Sequence, residues 1–157
     1  MEAKAPAGAI VRIASELPPG RAIDIACGTG RHAIWLHERG WQVTALDRNG
    51  EAIAELVRRY PGIEARVADL EQRPVALGCG AYDLAICWLY FKRDLYPVIR
   101  EAVRPGGIAA MSALLQGRFA ADPGELRSSF ANWEVLHEAE VEHGPGKRAS
   151  ELIVRRV

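Results

Sequence analysis

Apolar residues recur along this chain in two alternating periods. Over residues 7–17, Ile10, Ile13, Ala14 and Leu17 share one helical face, and Pro18-Pro19-Gly20 ends the segment. A short apolar run at 21–26 predicts a buried strand, and a helix is expected from Gly30 to Gly40. A second strand follows at 42–46. Ala52, Ile53, Leu56, Val57 and Tyr60 form the next helical stripe, and 63–67 reads as a third strand. The polar stretch from Leu70 to Gly80 reads as a loop. Residues 81–88 are an almost wholly apolar fourth strand. Leu95, Val98, Ile99, Ala102 and Val103 mark a helix stopped by Pro105-Gly106-Gly107, and 108–115 is a fifth strand. Asp122-Pro123-Gly124-Glu125 has the form of an N-cap, a first-turn proline and a capping glutamate, so a short helix should reach about Ala131. Two last strands, at 133–140 and 150–157, flank a polar turn and should pair as a hairpin.

Strands that alternate with helices imply an α/β fold. The expected form is a Rossmann-like, doubly wound, mostly parallel seven-stranded sheet, to which the closing hairpin adds one antiparallel strand. The length of 157 residues fits a single domain, 1–157, with no repeat, linker or low-complexity tract. Twenty basic residues balance twenty acidic ones, which argues against a dominant field for nucleic acid or a membrane surface. The cysteines, Cys27, Cys79 and Cys87, are odd in number and form no CxxC pair, so neither a disulfide framework nor a metal site is expected. No apolar run approaches the roughly 20 residues of a membrane span. Glu2, Lys4, Arg12 and Glu16 do not fit a signal peptide, and the expected location is cytoplasmic.

The candidate chemistry lies where the first strand meets its helix. Cys27-Gly28-Thr29-Gly30 makes a tight turn there, and glycines let backbone approach a ligand near the free N–H groups that open a helix. Gly28-Thr29-Gly30-Arg31-His32-Ala33 also satisfies the G-x-G-x-x-G/A dinucleotide fingerprint, so the turn alone does not choose a ligand. Acidic residues change the balance. Asp24 lies inside the first strand, Asp47 ends the second, and Asp69 follows the third. An anion near a pyrophosphate is unfavourable, whereas a sulfonium and an ammonium tolerate one. A carboxylate at the end of the second strand can accept both ribose hydroxyls. Asp69 could accept an adenine amino group, with Leu70 beside the ring. Each acid also has an ordinary reading: Asp47 and Asp69 as helix caps or loop residues, Asp24 as a cap for neighbouring backbone.

Taken with the motifs around it, the chain resembles the class I S-adenosylmethionine-dependent methyltransferases over nearly its whole length. Residues 21–32 look like the family's first motif, Gly40-Trp41-Gln42-Val43-Thr44-Ala45-Leu46-Asp47 like its second, and Val67-Ala68-Asp69-Leu70 like its third. Tyr82-Asp83-Leu84 and Arg104-Pro105-Gly106-Gly107 precede apolar strands as they do in the family. Arg31-His32-Ala33-Ile34-Trp35-Leu36 and Tyr90-Phe91-Lys92-Arg93-Asp94-Leu95-Tyr96 are similar to small bacterial members of the tellurite-resistance type and related uncharacterised groups. The resemblance implies S-adenosyl-L-methionine as cofactor and S-adenosyl-L-homocysteine as product. Asp24, Gly28 and Gly30 would hold its methionine end, Asp47 its ribose, and Asp69 and Leu70 its adenine, with Ala26, Cys27, Arg48 and Trp88 also among the cofactor-binding residues. Trp88 or Leu89 would lie near the transferring methyl. One departure stands out: the motif's usual first glycine is Ala26.

The expected reaction is in-line methyl transfer to a small molecule, in which the protein mainly supplies proximity and alignment. His32, Tyr90 and Arg93 are the candidate acceptor contacts, Arg93 as a grip for an anion. His32, His143, Tyr90 and Tyr96 are the candidate bases, and each has a structural role open to it. Trp88 and Phe91 could wall an aromatic pocket. No Asn/Asp-Pro-Pro-Tyr stretch follows the fourth strand, no Pro-Cys nucleophile occurs, and no basic run interleaves with aromatics, which disfavours nucleic-acid substrates. The loop after Asp69 is brief, so the acceptor site should be open or completed by a second subunit, as in a homodimer. Two rivals remain: a cofactor-binding but catalytically silent module, and a dinucleotide-binding oxidoreductase fragment.

Overall fold

The computed structural model describes residues 4–71 and 75–157, so residues 72–74 of the expected 70–80 loop and the first three residues lie outside the described residues. Two compact units divide the chain, Met1–Arg73 and Pro74–Val157. The fold is α/β, with seven strands among the described residues, mostly parallel and ending in an antiparallel hairpin.

The first unit holds α1 (Gly8–Ser15), β1 (Arg21–Ile25), α2 (Arg31–His37), β2 (Gln42–Asp47), α3 (Gly50–Arg59) and β3 (Glu64–Val67). All three strands run parallel, with Ile25 opposite Leu46 and Asp47 opposite Val67. Every residue of β1 after Arg21 is buried, as a central parallel strand with both faces covered requires. α2 packs on β1 and β2, and α3 on β2 and β3. The start of α3 is fixed locally: Asn49 Oδ1 accepts the N–H groups of Glu51 and Ala52, each at 3.1 Å.

The second unit holds β4 (Tyr82–Cys87), α4 (Leu95–Ala102), β5 (Val103–Leu114), α5 (Glu125–Ser129), β6 (Glu134–Glu142) and β7 (Arg148–Arg155). β4 and β5 are parallel. β7 pairs antiparallel to both β5 and β6, so the hairpin folds back with its second strand inside.

Several boundaries move by one to three residues, and two larger departures from the sequence expectation concern β5 and α5. Val103 belongs to β5 rather than to the preceding helix, and Pro105-Gly106-Gly107 lies within that strand instead of before it. Tyr82 pairs with Val103 and Leu84 with Ile108, so residues 104–107 bulge out of the ladder. The bulge is pinned: Gly106 N–H donates to Arg156 C=O at 2.9 Å, and Arg156 N–H to Gly107 C=O at 2.8 Å. The helix expected from Asp122 begins at Glu125, because Pro123 and Gly124 form a turn and Gly124 takes a left-handed φ of 80°. Half of the expected capping box survives, since Glu125 Oε1 accepts the Asp122 N–H at 3.0 Å.

Candidate functional site

The expected site residues fall into two groups, one in each unit. In the first unit the chain leaves β1 at Ala26, whose φ of 58° is left-handed. Such a φ crowds a Cβ against the carbonyl and normally selects glycine. Cys27 N–H then donates to Leu46 C=O at 2.9 Å, tying the turn to the end of β2. The Cys27 thiol is buried, and burial with two nearby carboxylates pushes its pKa up, so it is no nucleophile. Gly28 is left-handed at 58° with open space where a Cβ would stand. Gly30, at 91°, is confined: a Cβ there would meet Leu56 Cδ1 at 2.9 Å.

The acids surround this turn. Asp47 Oδ1 accepts the Gly28 N–H at 3.1 Å and Oδ2 the Asn49 N–H at 2.9 Å, so one carboxylate joins the glycine turn to the end of β2. Each oxygen spends one acceptor site on backbone, and a carboxylate has about four. Asp24 is 2% exposed and accepts the Ala33 N–H at 3.2 Å, the backbone-capping role open to it from sequence. Burial first, and the Asp47 charge last, raise its pKa to about 7, against the Ala33 N–H and the Arg31 charge. Asp69 is exposed and accepts the Glu71 N–H at 3.0 Å, while Leu70 is buried. Arg48 is exposed beside Asp47.

His32, expected as an acceptor contact, is 3% exposed and its Nε2 accepts the Ala7 N–H at 3.1 Å. Burial and the Arg31 charge lower its pKa to about 3, so the ring is a neutral acceptor with a structural duty.

In the second unit, Trp88 is buried and Leu89, two residues past β4, takes a left-handed φ of 57°. Strain of this kind concentrates at functional sites. Tyr90 is half-buried, and its C=O receives the Cys87 thiol at 3.7 Å. Arg93 does not stand ready for an anion. Its Nε and Nη2 donate to the two oxygens of Glu125 at 2.6 and 2.9 Å, and the guanidinium lies over Phe91. The sequence offered Glu125 only as a cap, and neither this ion pair nor the Leu89 backbone left a signal in it. The Tyr96 hydroxyl is buried without a hydrogen-bond partner, and burial pushes its pKa up. His143 is half-buried at the hairpin turn, where its N–H donates to Lys147 C=O at 2.9 Å. Among the described residues, no group of three or more His, Cys, Asp or Glu could hold a metal ion, and no helix is long and apolar enough to cross a membrane.

A glycine turn braced by the second strand's acid lies among parallel strands covered by helices, and the family is shown by comparison with known proteins. A family model described as a methyltransferase domain matches residues 22–107, and the chain belongs to that family. It is similar to a malonyl-[acyl-carrier protein] O-methyltransferase of Salmonella typhimurium, 33% identical over 98 residues, covering 60% of this chain and 39% of that protein. It is also similar to TehB of Haemophilus influenzae, a probable S-adenosyl-L-methionine-dependent methyltransferase, 25% identical over 82% of this chain and 51% of that protein. The chain thus spans about half the length, or less, of these curated relatives. The TehB crystal structure superposes with a TM-score of 0.85 at 20% identity, covering 97% of this chain and 63% of that one. A Burkholderia thailandensis 1,6-didemethyltoxoflavin-N1-methyltransferase with bound S-adenosylhomocysteine gives 0.73 at 19% identity, covering 95% and 76%. These two likenesses concern the fold.

Proposed function

We propose that this chain binds S-adenosyl-L-methionine at the turn of residues 26–30 and transfers its methyl group to a small molecule. The observation that carries the reading is the Asp47 carboxylate. It braces the Gly28 N–H while both of its oxygens keep acceptor capacity for a pair of vicinal hydroxyls. The residues present fit the cofactor's chemistry. Asp47 would accept the ribose hydroxyls, Gly28 leaves open space at the turn, and Asp69 and Leu70 offer an acceptor beside an apolar surface. Asp24 behind the turn favours a cation over a pyrophosphate, which weighs against the dinucleotide rival.

Bound there, the cofactor would supply an electrophilic methyl on a sulfonium, with a neutral thioether as the leaving group that keeps the carbon–sulfur electron pair. The chain's own residues position the two reactants. Two of the four candidate bases are not poised: His32 is neutral and committed to Ala7, and Tyr96 is buried and held protonated. Arg93, the candidate grip for an anion, is occupied by Glu125. The reading therefore favours an acceptor that arrives deprotonated. The same observation gives the catalytically silent module its support, and a screen of anionic small acceptors for S-adenosylhomocysteine release separates the two. Cofactor binding itself is tested by titration calorimetry with S-adenosylhomocysteine and NADH. The expected result is binding of the first only, weakened at least about tenfold in a folded Asp47→Ala variant, since charge-assisted bonds contribute about 1.5–3 kcal/mol each. Binding of NADH alone, or unchanged affinity in the variant, contradicts the site.

A further inference from the structure

Three consecutive residues in the first turn of α2 are tied to other parts of the first unit. Arg31 Nη1 donates to Ala5 C=O at 3.1 Å. His32 Nε2 accepts the Ala7 N–H at 3.1 Å. Ala33 N–H reaches Asp24 at 3.2 Å. The first two ties hold one short stretch, residues 4–7, which runs into α1. Gly30, the N-cap of α2, has no side chain with which to fix the helix start, and Ala7 gives α1 no side-chain cap either. The cross-ties to Ala5 and Ala7 thus link the starts of both helices. The turn at 26–30 feeds directly into the braced residues: Gly30 N–H donates to Cys27 C=O at 2.9 Å, and Ile34 N–H to Gly30 C=O at 2.8 Å.

We propose that residues 4–7 form a strap, latched by Arg31 and His32, that braces the start of α2 and so holds the Ala26–Gly30 turn in position for the cofactor. Arg31 and His32 are positioning residues in this arrangement, acting through the strap and the helix rather than by touching the reacting atoms. The neutrality of His32 suits the latch, because only an unprotonated Nε2 can accept the Ala7 N–H. The proposal rests on the cofactor reading above, but the brace has a readout of its own.

The test removes the latch without emptying the core. Ala7 has φ −62° and ψ 135°, which proline adopts without strain, so Ala7→Pro deletes the one donor and keeps the C=O that starts α1. Arg31→Met removes the guanidinium and keeps the stem, and serves if the proline variant fails to fold. His32→Gln retains an acceptor and is the rescue. The measurements on the full chain are amide hydrogen exchange over residues 26–33 and S-adenosylhomocysteine affinity. Expected in Ala7→Pro and Arg31→Met are faster exchange at 26–33 and affinity weaker by about three- to tenfold, the scale of one lost hydrogen bond, with His32→Gln near wild type. Unchanged exchange and affinity in both overturn the strap. Faster exchange with unchanged affinity overturns its link to the cofactor. A wild-type chain that binds no S-adenosylhomocysteine overturns the cofactor reading, while the exchange arm still reports the brace.

Discussion

At the scale of the residue, Ala26 joins a departure in sequence to a cost in structure. The resemblance set a glycine where this chain has alanine, and the backbone there takes the left-handed conformation a glycine would supply. The turn is therefore dictated by its surroundings, the Cys27 tie to Leu46 on one side and the Asp47 tie to Gly28 on the other. A left-handed L-residue costs about 1–2 kcal/mol, and glycine returns roughly 0.4–1 kcal/mol of that by loosening the unfolded chain. Ala26→Gly should therefore raise stability slightly, by about 0.5–1 kcal/mol in urea titration. The mirror change, Gly28→Ala, has open space for its methyl and should cost about 0.5–1 kcal/mol, backbone strain less the stiffening of the unfolded chain. Equal signs for the two would show that the turn relaxes instead of imposing its conformation.

At the scale of the element, periodicity located strands and helices because each buries one stripe or both faces, and burial is what apolar spacing records. β1 and β4 were legible for that reason. The start of β5 was not. Pro105-Gly106-Gly107 carries the residues of a helix stop, and the helix does end nearby, but pairing from Val103 outweighs the local signal. Gly107 is the residue that permits this. A Cβ there would stand 3.1 Å from Asp83 C=O, 3.0 Å from Arg104 C=O and 2.8 Å from Val103 Cγ1. Two of those neighbours are backbone and cannot swing aside. Gly107→Ala should destabilise by about 1–3 kcal/mol, as overpacking does, and lower Tm by several degrees. An unchanged Tm would mean that the bulge opens freely. The same division governs the candidate site: the turn, Asp24, Asp47 and Asp69 follow from chain position, whereas the Arg93–Glu125 pair joins the turn before α4 to the first residue of α5, 32 residues on, and leaves no periodic trace.

At the scale of the whole molecule, Asp24 ties the proposed function to the pH dependence of folding. Its folded pKa of about 7 lies above the unfolded value of 3.8, with burial the main cause. The sign follows from linkage. Below pH 4 the group is protonated in both states and its contribution to stability is fully present. Between pH 4 and 7 only the unfolded chain releases the proton, so stability falls as pH rises, and above 7 the loss is complete. Three pKa units correspond to a penalty on the order of 4 kcal/mol at neutral pH and above, a large share of a typical domain's 5–15 kcal/mol. Asp24→Asn keeps an acceptor for the Ala33 N–H and removes the titration, so it should gain stability over wild type by pH 8 and differ little at pH 4. Urea unfolding at the two pH values measures the difference. A variant destabilised equally at both would mean that Asp24 is held by a partner stronger than the cost of its burial. On the proposed function, a cationic ligand beside Asp24 would offset part of the cost of its buried charge. Saturating S-adenosyl-L-methionine should therefore narrow the wild type's deficit at pH 8 and leave the asparagine variant less affected.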